Sequence, residues 1–207
     1  MSSLITPAPT ARTLHETSCD CKRCRVGKKA IVTQLQEIMR REDTQTGLYG
    51  SLGWTLTSGI IAQVIRYSDW FFSDGEGSEE TRILDFMPYS GGDAPLAAEL
   101  LTLLTSEMLT DRQNYAPSLG SILNCVAANP GKALFDGYVI GPGRFDERIS
   151  ADAIYLAPEV LGMCADNTDA QTARTAFAAL NLGQQTQSDE LSREKLAAGI
   201  FWRFWWD

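Results

Sequence analysis

Two apolar runs, KALFDGYVI (132–140) and ISADAIYLA (149–157), flank the Gly/Pro-shaped stretch GPGRFDER (141–148). Both runs are short, rich in β-branched and aromatic residues, and bounded by turn formers. They read as a β-hairpin with a longish loop, near 133–157. Helical patterns surround this hairpin without the regular strand–helix alternation of a parallel sheet. In GDAPLAAELLTLLTSEML (92–109), Asp93 suits an N-cap, Pro95 the first turn, and Leu96, Leu100, Leu103, Leu104 and Met108 one apolar stripe. A second helix is expected from Ser118 to Ala128, halted by NPG, a third over 168–181, and a last one from Ser188 toward the C-terminal tryptophans.

Upstream, VGKKAIVTQLQEIMRRED (26–43) spaces Val26, Ala30, Ile31, Leu35, Ile38 and Met39 helically. TSGIIAQVIRYSDWFF (57–72) reads as a helix capped by Thr57 or Ser58, LYGSLGW (48–54) as a turn, and RILDFM (82–87) as a short strand. The fold class expected is α+β, with about six helices packed on a small antiparallel sheet. The 207 residues divide into a flexible or metal-tied N-terminal segment, 1–25, and one globular domain, 26–207.

Charge is unevenly distributed. Residues 1–42 hold eight Lys/Arg against four Asp/Glu, and residues 43–207 hold ten against 22, within a net −8. So acidic a body disfavours nucleic acid. No apolar run is long enough to span a bilayer, and MSSLITPAPTARTL (1–14) lacks the basic start and apolar stretch of a secretion signal. The expected setting is a soluble protein in a reducing cytoplasm, with the odd count of five cysteines arguing against a disulfide framework.

The only histidine and three of the five cysteines fall within HETSCDCKRC (15–24). His15, Cys19, Cys21 and Cys24 offer four zinc-ligand types, with Cys125 or Cys164 as alternative donors. The basic neighbours Lys22, Arg23, Arg25, Lys28 and Lys29 favour thiolates. Cys21 and Cys24, just before a helix, also suit thiol redox chemistry, although the strand–helix–strand context of such motifs is missing. A plain thiol-bearing tail is the third reading.

Elsewhere catalytic signals are sparse. A single histidine leaves hydroxyl or thiol triads dependent on His15, and no phosphate-binding glycine loop is present. DGEGSEE offers Asp74, Glu76, Glu79 and Glu80 without the calcium-loop register. The 144–148 loop carries Arg144, Asp146, Glu147 and Arg148, which suit either an acid–base pocket or mutual salt bridging at a hairpin tip. PYSGGDAP and GPGRFDER read as two glycine-rich loops. In GIFWRFWWD (199–207), a helix cannot bring Trp202, Trp205 and Trp206 onto the Leu196–Ile200–Phe204 stripe. The aromatics must therefore dock on the body or on a partner.

The function expected from these signals is a non-enzymatic, partner-binding protein, with zinc supporting the N-terminal element. Its partner is another protein or a second copy, and membrane contact is not expected. An enzyme using Asp146, Glu147 and Arg148, and a thiol redox protein using Cys21 and Cys24, are the alternatives.

Overall fold

The structure is a computed structural model that describes residues 45–68, 86–183 and 187–207, with the five helical positions Lys29, Val32, Thr33, Gln36 and Arg40. It is α+β. The main sheet is antiparallel and five-stranded, in the order β3–β4–β5–β7–β6. Its strands are β3 (Phe86–Gly92), β4 (Ala133–Ile140), β5 (Arg148–Leu156), β6 (Glu190–Leu196) and β7 (Gly199–Trp205). A small hairpin, β1 (Thr46–Gly47) with β2 (Gly50–Ser51), precedes it. The helices are α1 (Trp54–Thr57), α2 (Ile60–Val64), α3 (Ala94–Leu103), α4 (Ser106–Thr110), α5 (Leu119–Ala128) and α6 (Ala170–Ala179).

The clearest helix start forms as expected, but the helix expected over 92–109 is two. Helix α3 ends at Leu103, Leu104 is extended at ψ 142°, and Thr105 caps α4 by accepting a hydrogen bond from the Met108 amide at 3.4 Å. At α3, Asp93 accepts a hydrogen bond from the Leu96 amide at 3.1 Å, and its carboxylate also takes the Tyr67 hydroxyl at 2.7 Å. Such a cap contributes about 1 kcal/mol. Ser118 caps α5, and Asp169 caps α6. Helices α3 and α5 pack on each other, and α5 lies on β4 and β5. Among the described residues no helix is long and apolar enough to cross a membrane.

Four other expectations need correction. The helix expected from Ser188 is the hairpin β6–β7, closed by Ala197 and Ala198 with Gly199 at φ 137°. Its apolar residues follow a period of two. Trp202, Phe204 and Trp206 enter the main core, while Phe201 and Trp205 join Ala153, Tyr155 and Ala157 on the opposite face. The aromatics thus dock on the body, but as a strand held between β5 and β6. Second, the 57–72 helix is capped at Gly59 (φ 87°), not Thr57 or Ser58, and turns into a 3₁₀ segment, Ile65–Tyr67. Third, PYSGG is the end of strand β3 with a register irregularity between Tyr89 and Gly92, not a loop. Fourth, the sheet holds more strands than the three the sequence suggests, because β6 and β7 add to it. The 26–43 helix is helical at its five described positions. Its apolar stripe, residues 73–81 and residues 82–85 lie outside the described residues.

A bulge in β5 sets which side chains face the helices. The register pairs Asp136 with Ala153 and then Gly137 with Ala151, leaving Asp152 unmatched. This extra residue shifts the alternation by one. Ile149 and Ala151 before it, and Ile154 and Leu156 after it, therefore all reach the main core.

Candidate interaction surface

The β4–β5 connection carries the charged stretch singled out by sequence, and its members point in different directions. Glu147 is fully buried. Its carboxylate accepts the Gly53 amide at 2.6 Å, the Thr55 amide at 2.7 Å and the Thr55 hydroxyl. The first amides of a helix have no partner within it, and Glu147 supplies one to α1 from 92 positions away in sequence. Gly53, at φ 93°, takes the left-handed conformation that starts the helix. The Leu48 amide donates to the Phe145 carbonyl at 2.8 Å, tying the β1–β2 hairpin to the same loop. Glu147 is thus a packing and capping group, closed off from an acid–base role at the surface.

With Glu147 turned inward, its neighbours turn outward. Arg144 forks onto Asp146 with two bonds of 2.8 Å, and Arg148 approaches the same carboxylate at 3.5 Å. The Arg144 hydrogen bond, aided by both positive charges, holds the Asp146 carboxyl below its ordinary value. Phe145 between them is 68% exposed.

Beside this loop lies an aromatic group. Phe86 packs on Tyr138 with ring centroids 5.1 Å apart, and Arg148 sits 5.9 Å from the Tyr138 ring. The Tyr138 hydroxyl donates to Gln113, which also takes the Ser150 hydroxyl at 3.4 Å. Two residues on, Tyr115 is 70% exposed. Burial, and then a hydrogen bond to Asp111, push the nearby Tyr49 hydroxyl up to about 12. Five large apolar side chains are exposed among the described residues, and four of them, Leu48, Phe86, Tyr115 and Phe145, belong to this end of the sheet.

The metal candidates His15, Cys19, Cys21 and Cys24, including the redox pair, lie outside the described residues, as do Asp74, Glu76, Glu79 and Glu80. Cys125 is half-buried on α5, its thiol pushed up by burial, and Cys164 is exposed. Among the described residues no group of three or more His, Cys, Asp or Glu is placed to hold a metal. No family model, curated protein or solved structure matches the chain.

A second polar cluster, on the face of the sheet away from the main core, escaped sequence reading. Asp136 sits between the irregularity in β3 and the bulge in β5, accepting the Gly91 amide and the Tyr155 hydroxyl, each at 2.7 Å. Asp152 is the bulge residue itself. Burial first, and then the Asp136 carboxylate, push the Asp152 carboxyl up to about 6, with Arg203 acting in the opposite direction. No motif signals this cluster, since only the bulge brings Asp152 to the side of Asp136.

A pH effect follows from its sign. The fold prefers protonated Asp152, so the contribution is fully present below the ordinary value of 3.8 and is lost as pH rises through about 6. The loss amounts to about 2–3 kcal/mol. Asp152→Asn is expected to match the parent in acid and to exceed it by about that amount near neutral pH. Urea unfolding of both proteins across this range checks it, and parallel stability curves would refute it.

Proposed function

We propose that the protein is a non-enzymatic binding protein that engages another protein through the end of the sheet formed by the β4–β5 loop, the β1–β2 hairpin and the loop after α4. The observation that carries this is that four exposed apolar side chains, Leu48, Phe86, Tyr115 and Phe145, lie on chain segments that meet at this end of the sheet, where Arg144 and Arg148 pair with Asp146. Aromatic residues and arginine dominate the energetics of protein interfaces. Exposed apolar side chains scattered singly need no explanation, but a cluster does. The surface is also pre-ordered, because Glu147 and the Leu48–Phe145 bond fix the backbone beneath it. Less ordering entropy is then lost on binding. The acidic charge of residues 43–207 makes a second copy a poor partner, since two such bodies repel. The fitting partner is a different protein with an apolar contact face.

Replacing Phe145 and Tyr115 together by serine tests this. Because both side chains are exposed, the double variant is expected to lie within about 0.5 kcal/mol of the parent in stability. Its affinity for the partner is expected to fall at least about thirtyfold. Retained affinity in the folded variant would refute the surface.

In the same proposal, His15, Cys19, Cys21 and Cys24 hold zinc and tie the N-terminal segment to the fold. Native mass spectrometry of the purified chain is expected to show a bound zinc ion that is lost on replacing Cys21 and Cys24 by serine. Metal-free protein with freely titratable thiols would remove this element and leave the interaction surface standing.

A further inference from the structure

Far from that surface, α6 and the segment leading into β6 enclose a cleft of about 360 Å³. One wall is the helical stripe Gln171, Arg174, Thr175 and Ala178, spaced by three and four residues so that all share a face. Opposite stand Gln187 and Ser188. The floor is aromatic, with Phe177 and Phe204 stacked at 4.1 Å and an interplanar angle of 20°. Among the described residues, Arg174 is the only charged one in the lining. One of its nitrogens, Nη1, is spent on the Ser188 carbonyl at 3.1 Å and the Ser188 hydroxyl at 3.0 Å. These bonds pin the guanidinium in place, while Nε and Nη2 have no hydrogen-bond partner among the described residues. Asp189, the carboxylate next in sequence, is engaged by the Asp207 amide at 3.0 Å.

We infer that this cleft binds a small carboxylate with a compact apolar body, a site distinct from the interaction surface and independent of it. An arginine held at one corner of its fork presents its remaining donors in the plane that a carboxylate matches. In a chain of net charge −8, an arginine in a cleft with no carboxylate in its lining among the described residues is the natural seat for an anion. The buried rings of Phe177 and Phe204 make the floor apolar, and the Gln171 and Gln187 amides fit polar substituents at the rim. A cleft of this volume suits a ligand of about ten to fifteen non-hydrogen atoms.

Phenylacetate is the probe, with phenylacetamide as its uncharged counterpart, titrated into the full chain and followed by ligand-observed NMR. Phenylacetate is expected to bind with a Kd below about 1 mM, and phenylacetamide at least about tenfold more weakly. Arg174→Gln is expected to weaken phenylacetate at least about tenfold. Because Arg174 also holds Ser188, Thr175→Trp serves as the second variant: it keeps that bond, fills the cleft from an exposed helix position, and is expected to abolish binding without lowering the melting temperature. No binding up to about 10 mM, equal affinity for the two probes, or binding unchanged in folded Thr175→Trp would each overturn the site.

Discussion

Replacing Glu147 by alanine is expected to cost about 3–5 kcal/mol, because it strips a buried carboxylate from three donors that have no water to turn to. The Gly53 amide, the Thr55 amide and the Thr55 hydroxyl all end on its two oxygens. For a domain whose net stability is about 5–15 kcal/mol, that is a large fraction of the total. Thr55→Val removes only the hydroxyl donor and is expected to cost about 1–1.5 kcal/mol. Chemical denaturation of the three proteins measures both, and a Glu147→Ala protein within about 1 kcal/mol of the parent would show that Glu147 does not hold α1. The same variant is expected to lose partner binding, since the backbone that displays Phe145 is anchored by Glu147 and by the bond from Leu48. The Phe145 and Tyr115 replacements separate the two effects, because they remove binding without touching the anchor.

Gly137→Ala is expected to be at least as damaging, for a steric reason. A Cβ on residue 137 would lie 1.9 Å from the Ser150 carbonyl oxygen and 2.7 Å from the Tyr89 hydroxyl. That hydroxyl sits there because it donates to the Ser150 carbonyl at 2.6 Å, beside the β5 bulge. The nearest obstacle is backbone in the middle of the sheet, so β4 and β5 would have to part. A loss of at least about 3 kcal/mol, or failure to fold, is the expected outcome. Tyr89→Phe is not expected to rescue it, since the carbonyl contact stays. Gly131→Ala is the control: its Cβ would meet nothing within 4 Å, but φ is 73°. It is expected to cost only about 1 kcal/mol. Thermal melts of the two alanine variants compare them, and equal losses would show that crowding at the bulge does not set the cost at Gly137, whose φ is not positive.

The parts of the fold legible in sequence are those where local and global preferences agree. Asp93 and Pro95 signal a helix start and Leu96 and Leu100 a buried face, and the structure uses them so. The same apolar stripe hid the break after Leu103, because Leu104 and Met108 stay buried across it. The β4–β5 hairpin was readable from two apolar runs around a Gly/Pro loop. The C-terminal hairpin was not, because Glu190, Leu191, Glu194, Lys195 and Leu196 are strong helix formers. Burial of Trp202, Phe204 and Trp206 on one side and Phe201 on the other overrides that preference. At the surface, sequence located the 144–148 loop and the pairing of its arginines with a local carboxylate. It could not divide Glu147 from Asp146, because inward or outward direction depends on α1, far away in the chain. Leu48, Phe86 and Tyr115 were invisible as a group for the same reason: four chain segments meet only once the sheet is formed. Asp152 needed the bulge, which no residue pattern announces.

The interaction surface is tested most directly by site-specific photocross-linking in the cells that make the protein. A photoreactive phenylalanine analogue is placed at position 145, at position 115, and at Lys195, an exposed site on β6 away from the cluster. Positions 145 and 115 are expected to yield the same discrete adduct, displaced by excess unmodified chain but not by the Phe145/Tyr115 double serine variant, while position 195 yields none. No adduct at 145 and 115, or an equal pattern at 195, would contradict the assignment of this end of the sheet to partner binding.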